Sequence, residues 1–201
     1  MINPIKIEQQ YLFSSLGYQF TVTRYSSILR SNSTVLLFCP PLGKTQEEIK
    51  ALLPIKLLVL LGYSICLFDP IGEGDAWGER DFAGIEAQSQ IIQLQQWLEE
   101  QYSNIRIICK GMSAISVLAA LEQHPHSHPI IAMEALFRPE DCWQIHPELR
   151  KCSEDFWMER DIYTSLEKNA EQISWFYSMP QGKREKIRWF RRFLSLLSTS
   201  S

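Results

Sequence analysis

The 201-residue chain lacks most of the features that would tie it to a membrane, an oxidising compartment or a nucleic acid. No apolar run approaches the roughly 20 residues that cross a bilayer. The N-terminus has no basic segment leading into an apolar stretch, so no secretory signal is expected. Net charge is only −3, which gives no general attraction to nucleic acid or anionic lipid. The five cysteines, Cys39, Cys66, Cys109, Cys142 and Cys152, are dispersed. Three of them lie inside apolar runs, where cysteine behaves as a small hydrophobe. Reduced thiols in a cytoplasmic protein are therefore expected, not a disulfide frame. No internal repeat is visible. The phosphate-cradling pattern G-x-x-x-x-G-K-[ST] is absent, so no nucleotide is implied.

What is present suits one domain with a sizeable core. Residues 10–25 read as an antiparallel hairpin, with Gly17 between two aromatic and β-branched runs. Thr34-Val-Leu-Leu-Phe-Cys39 has the length and composition of a buried strand and stops at Pro40-Pro41. Thr45-Gln-Glu-Glu48 has the spacing of a capping box. A helix is predicted from there to Leu60, divided by Pro54 and closed by Gly62. Ser64–Phe68 is a second buried strand, followed by the loop Asp69-Pro-Ile-Gly72-Glu-Gly74-Asp75. Residues 85–101 form an amphipathic helix with Ile91, Leu94, Trp97 and Leu98 on one face. Ile130–Glu134 is a short strand. Strands alternating with helices predict an α/β domain, its sheet mainly parallel with a hairpin at one edge. Residues 1–138 form this core. Residues 139–201 read as a helical, cap-like tail of the same domain, with helices over 155–174 and 183–197 and no further buried strand.

The most informative stretch is Asn104–Leu121. Ile105–Cys109 reads as a central strand, Gly111 breaks it, and Ala114–Leu121 propagates a helix. Ser113 stands at the junction. It can cap the helix. It can also be held up and out as a nucleophile, because Gly111-Met-Ser113-Ala-Ile115 nearly matches the elbow pattern G-x-S-x-G. Ile115 stands where the second glycine belongs. That glycine lets the helix pass close to a neighbouring strand, so the branched side chain implies a wider gap or a distorted turn.

Together, Pro40-Pro41-Leu42-Gly43, Leu61-Gly-Tyr63, the Asp69–Asp75 loop and Gly111-Met-Ser113 resemble the α/β-hydrolase family. Among its members they look most like the serine-aminopeptidase-like hydrolases associated with exosortase gene clusters. The resemblance implies an ester, thioester or amide hydrolase, or an acyltransferase, working through Ser113 without a cofactor or metal. It implies an oxyanion hole made by the amides of Ala114 and Leu42; Pro40 and Pro41 have no N–H to offer. The family order places the acid and the histidine after the nucleophile. Glu134 and Asp141 are candidate acids, and His146 is the only histidine beyond residue 128. The family's distal strands, which carry those groups, are expected to be missing. Asp75 is a candidate substrate contact or a turn former.

Two functions stay open. One is a serine hydrolase built on Ser113, His146 and Glu134. The other is an inactive, truncated relative that binds an acyl ligand or a partner. The segment 183–197 sets basic residues around Ile187, Phe190, Leu194 and Leu197, which recur at helical spacing. It packs on the sheet or contacts a protein or membrane surface. His124, His126 and His128 alternate in a polar loop, with no cysteine or second histidine pair nearby to complete a zinc site.

Overall fold

In each central strand the apolar side chains supply two faces, so the sheet must be covered on both sides. A computed structural model describes residues 4–29, 33–41, 43–81, 84–134, 173–176 and 194–195. The strands are β1 (Ile5–Phe13), β2 (Gln19–Ser27), β3 (Thr34–Cys39), β4 (Ser64–Phe68), β5 (Asn104–Lys110), β6 (Ile130–Met133) and β7 (Ile173–Phe176). The helices are α1 (Gln46–Leu52), α2 (Ile55–Leu60), α3 (Ile85–Glu99) and α4 (Ser113–Gln123). The strands form one seven-stranded sheet in the order β1-β2-β4-β3-β5-β6-β7. From β4 to β7 the neighbours run parallel, while β1 and β2 are antiparallel additions at one edge.

Alternation along the strands sorts the core. Val35, Leu37 and Cys39 of β3 join Ile105, Ile107 and Cys109 of β5 beneath α3 and α4. Leu36 and Phe38 face the other way, with Ile65, Leu67 and Ile108, beneath Ile49 of α1 and Ile55, Leu58 and Val59 of α2. Full burial of each such side chain stabilises by about 1.5–3 kcal/mol relative to exposure. Pro54 divides α1 from α2, and the Glu48 carboxylate accepts the Thr45 N–H at 3.1 Å in the expected capping box. Cys39, Cys66 and Cys109 are buried free thiols, and burial raises the pKa of each.

One expectation is overturned. Residues 139–201 contain a further strand, because β7 pairs in parallel with β6. The predicted helix over 155–174 therefore gives way to strand at Ile173 and Ser174. The reason lies in the tetrapeptide itself. Ile-Ser-Trp-Phe combines β-branched and aromatic residues that suit a sheet once an edge is there to receive them. The rest of the tail, including segment 183–197 apart from two residues, lies outside the described residues. Of those two, Leu194 is helical and packs against the cluster under α1 and α2. No helix among the described residues is long and apolar enough to cross a membrane.

The chain visits β3, crosses to β4 on one side, then returns to β5 on the other. That reversal puts a topological switch point at the carboxyl ends of β3 and β5, the crevice position where ligands gather in open α/β sheets. Asp69, at the end of β4, braces the rim. Its buried carboxylate accepts the Gln46 backbone N–H and side-chain N–H, both at 2.8 Å, and the Asp75 N–H at 3.3 Å. Its carbonyl accepts Nε2 of buried Gln90 at 2.7 Å. Gly74 has φ +54°, and a Cβ there would stand 2.5 Å from the Asp69 carboxyl carbon. Glycine is therefore required at that turn. Replacing Asp69 with Ala strands three donors at once. The expected loss is about 2–4 kcal/mol of stability at an unchanged slope in urea denaturation.

Candidate functional site

β5 ends at Lys110, and α4 begins at Ser113. Two residues make the reversal. Gly111 adopts φ +60°, a left-handed conformation that glycine takes without strain, and Met112 returns to the right-handed region. The Gly111 N–H still donates to the Met133 carbonyl at 3.2 Å, so the residue is bonded to β6 while the chain turns. A Cβ at Gly111 would lie 3.6 Å from Cβ of Pro41, an ordinary contact. The Pro-Pro loop after β3 thus stands directly beside the bend.

The Ser113 hydroxyl is engaged by backbone groups at the ends of β5 and β3. The residue is 9% exposed, and its Oγ accepts the Lys110 N–H at 2.9 Å. The hydroxyl proton is within reach of the carbonyls of Lys110 and Cys39, both at 2.9 Å. This is not the ordinary N-cap, whose oxygen would serve amides further along its own helix. The hydroxyl instead staples the start of α4 to the ends of β5 and β3. Ala114 is fully buried, and its N–H is directed at the Gly111 carbonyl at 3.4 Å.

The remaining candidates separate. Glu134, at the end of β6, has φ +46° and pairs through Oε2 with Lys110 Nζ at 3.1 Å. It is the one non-glycine residue among the described residues with positive φ. The bend is therefore flanked by an ammonium and a carboxylate. Asp75 is exposed on its loop, its amide held by Asp69. Leu42, Asp141 and His146 lie outside the described residues. The described histidines are remote. They follow the eleven-residue α4, which carries the chain about 16 Å from Ser113 back toward the amino ends of the strands. There His128 Nε2 contacts Glu99 Oε1 at 2.7 Å and His124 Nε2 lies 3.5 Å from Glu99 Oε2. His126 stacks on His128 with ring centroids 4.7 Å apart.

Comparison with known proteins rests on this geometry, because the sequence matches no family model and no curated protein. An esterase from Pyrococcus furiosus superposes with a TM-score of 0.68 at 12% identity, covering 96% of this chain and 92% of the esterase. An α/β serine hydrolase homologue from Coxiella burnetii gives 0.52 at 20% identity, over 64% of this chain and 62% of its own. An epoxide hydrolase from Vigna radiata gives 0.53 at 14% identity, over 70% of this chain and 46% of its own. This chain spans less than two thirds of the last two.

The fold is the α/β-hydrolase fold.

In the α/β-hydrolase fold the nucleophile occupies the sharp turn between strand and helix, with its side chain raised above the sheet. The residue making that turn here is Gly111. The pattern small-x-turn-x-small is then carried by Cys109-Lys-Gly111-Met-Ser113, two positions earlier than G-x-S-x-G suggests. The displacement explains Ile115. It is not at the close approach; it is fully buried in the core under α3 and α4. Ser113 holds the close position, and its small side chain allows 2.9 Å contact with the Cys39 carbonyl. A sequence signal for this existed, since the strand ends three residues before Ser113.

Two outcomes follow. Ser113→Ala leaves the Lys110 N–H without its buried acceptor and is expected to lower stability by about 1–3 kcal/mol in urea denaturation. Burial, aided by the neighbouring His128, pushes His126 down from 6.5 to about 4. The folded state therefore resists protonation, and stability falls as pH drops from 6.5 toward 4. His126→Gln removes that loss, so the gap between wild type and variant shifts in the variant's favour across this window.

Proposed function

We propose that the protein is a non-catalytic member of the hydrolase fold that binds a small acyl ligand in the crevice between β3 and β5. The observation that carries this reading is the turn itself. At the position where this fold holds its nucleophile there is a glycine with φ +60°, and the nearest serine hydroxyl is engaged with two carbonyls and an amide. An unassisted serine attacks poorly even when free, and it needs a base within hydrogen-bond reach. What remains at the crevice suits binding. The backbone of a side-chain-free turn borders the Pro-Pro loop, with the Lys110–Glu134 pair alongside.

A second reading is hydrolysis through Ser113, with His146 as base, Glu134 as acid and an oxyanion held by Leu42 and Ala114. It is favoured by the neighbours, which are an esterase, an epoxide hydrolase and a serine hydrolase homologue. It requires the Ser113 hydroxyl to leave its three partners and turn outward.

A fluorophosphonate probe followed by intact-mass measurement distinguishes the two. The binding reading expects no adduct on the wild-type protein. An adduct lost in Ser113→Ala overturns it in favour of hydrolysis. In a parallel titration with octanoate, the amide resonances of Gly111 and Met112 are expected to shift in 1H–15N spectra. Unmoved resonances at saturating octanoate would remove the acyl-ligand assignment.

A further inference from the structure

We infer that His126 is an acid-released latch, which holds the loop between α4 and β6 against α3 while its ring is neutral and lets that loop go when Nδ1 takes a proton. The loop is His124-Pro-His126-Ser-His128-Pro129. Pro125 and Pro129 have no N–H to give, so few amides are left to fix it. One of those few, the His128 N–H, donates to His126 Nδ1 at 3.1 Å. An imidazole nitrogen accepts only when it carries no proton, and a neutral ring then carries its proton on the other nitrogen. Nδ1 is therefore bare, and Nε2 is the N–H. Gln95 of α3, fully buried, has its side-chain Nε2 3.1 Å from that ring nitrogen. Two donors cannot bond. Turning the Gln95 amide over sets its Oε1, which otherwise has no partner, against the ring N–H. The ring is thus tied at both nitrogens, to its own loop on one side and to α3 on the other.

A proton on Nδ1 reverses the bond to the loop. It sets a ring N–H against the His128 N–H, and it places a charge in a half-buried site with the His128 ring stacked 4.7 Å away. Ring and amide must then separate. The loop is anchored at its ends, where the His124 N–H donates to the Ala120 carbonyl at 2.8 Å and the Ile107 N–H to the Pro129 carbonyl at 3.0 Å. Opening is therefore confined between those two bonds. Among the described residues, the titratable groups that act on the ring are His128, Glu99 and His124. Burial opposes the protonated ring most, and His128 and His124 oppose it too, while Glu99 favours it. The opposing effects win, so the closed loop binds a proton less readily than the open one. The latch accordingly holds above 6.5 and is released as pH falls toward 4.

Nitrogen-detected ring tautomers and amide exchange of the full chain test the inference. At pH 7 the long-range 1H–15N spectrum is expected to show His126 as the Nε2–H tautomer. Between pH 7 and pH 4.5 the His128 amide is expected to lose protection roughly tenfold or more, after correction for the intrinsic effect of pH, while the amides of β3 keep theirs. His126→Asn offers a carbonyl oxygen near the place of Nδ1, and that oxygen takes no proton in this range. Whatever its level at pH 7, protection of the His128 amide in this variant is expected not to fall with acid. An Nδ1–H tautomer at pH 7 overturns the inference. So does protection at His128 that is indifferent to pH, or a loss shared equally by β3, which is global unfolding. The same acid loss in His126→Asn also overturns it, and moves the effect to the contacts of Glu99 with His124 and His128.

Discussion

A parallel strand that must become a helix within two residues imposes the constraint around which the crevice is arranged. The chain leaves β5 at Lys110, enters α4 at Ser113, and must bring the helix close enough to cover β3 and β5. Two demands follow. One residue has to take a left-handed backbone, which here is Gly111 at φ +60°. Another has to be small where the helix touches the β3 terminus, which here is Ser113 at 2.9 Å from the Cys39 carbonyl. The hydroxyl meets a third demand. It satisfies the Lys110 amide at a point where β5 has stopped laddering and the helix has not begun. A side chain with those duties is unsuited to attack a substrate, because turning it outward would leave a buried donor without a partner.

The rim of the crevice is held by similar means. Asp69 ties the start of α1 to the glycine loop after β4 through three hydrogen bonds, and Gln90 of α3 holds the same loop from the opposite face. Hydrogen bonds to a charged acceptor are stronger than those between neutral groups. Helices on both faces of the sheet are thereby connected through one residue, α1 through its carboxylate and α3 through its backbone carbonyl. The loop after β4 is consequently held in place.

Much of this was legible in the sequence because short apolar runs and their punctuation carry strong signals. β3, β4, β5 and β6 were each marked by a β-branched run ending in proline, glycine or acid. The division of α1 from α2 followed from Pro54, and the start of α1 from Thr45 and Glu48. The carboxyl-end loops could be placed on one rim from topology alone. Two things escaped. β7 is four residues with no alternation long enough to announce it, and its stability comes from the edge of β6. The residue at the bend, Gly111, stands two positions before the serine that the motif G-x-S-x-G picks out by its letters. The strand boundary was the better guide. A turn residue follows the last strand position directly, and Lys110 is that position.

The offset of two positions bears on function because a glycine at the turn and a serine at the close contact are both good choices for a scaffold. Glycine relieves the strain that a nucleophile at the bend must bear, about 1–3 kcal/mol for a non-glycine residue held in that region. Serine at the contact adds hydrogen bonds that the usual glycine cannot make. Each choice favours a steadier junction. Meanwhile the Pro-Pro loop, the Asp69 brace and the Lys110–Glu134 pair keep the crevice shaped and charged on its border. Strain at Glu134, the described non-glycine residue with positive φ, persists at that same border and not at the bend.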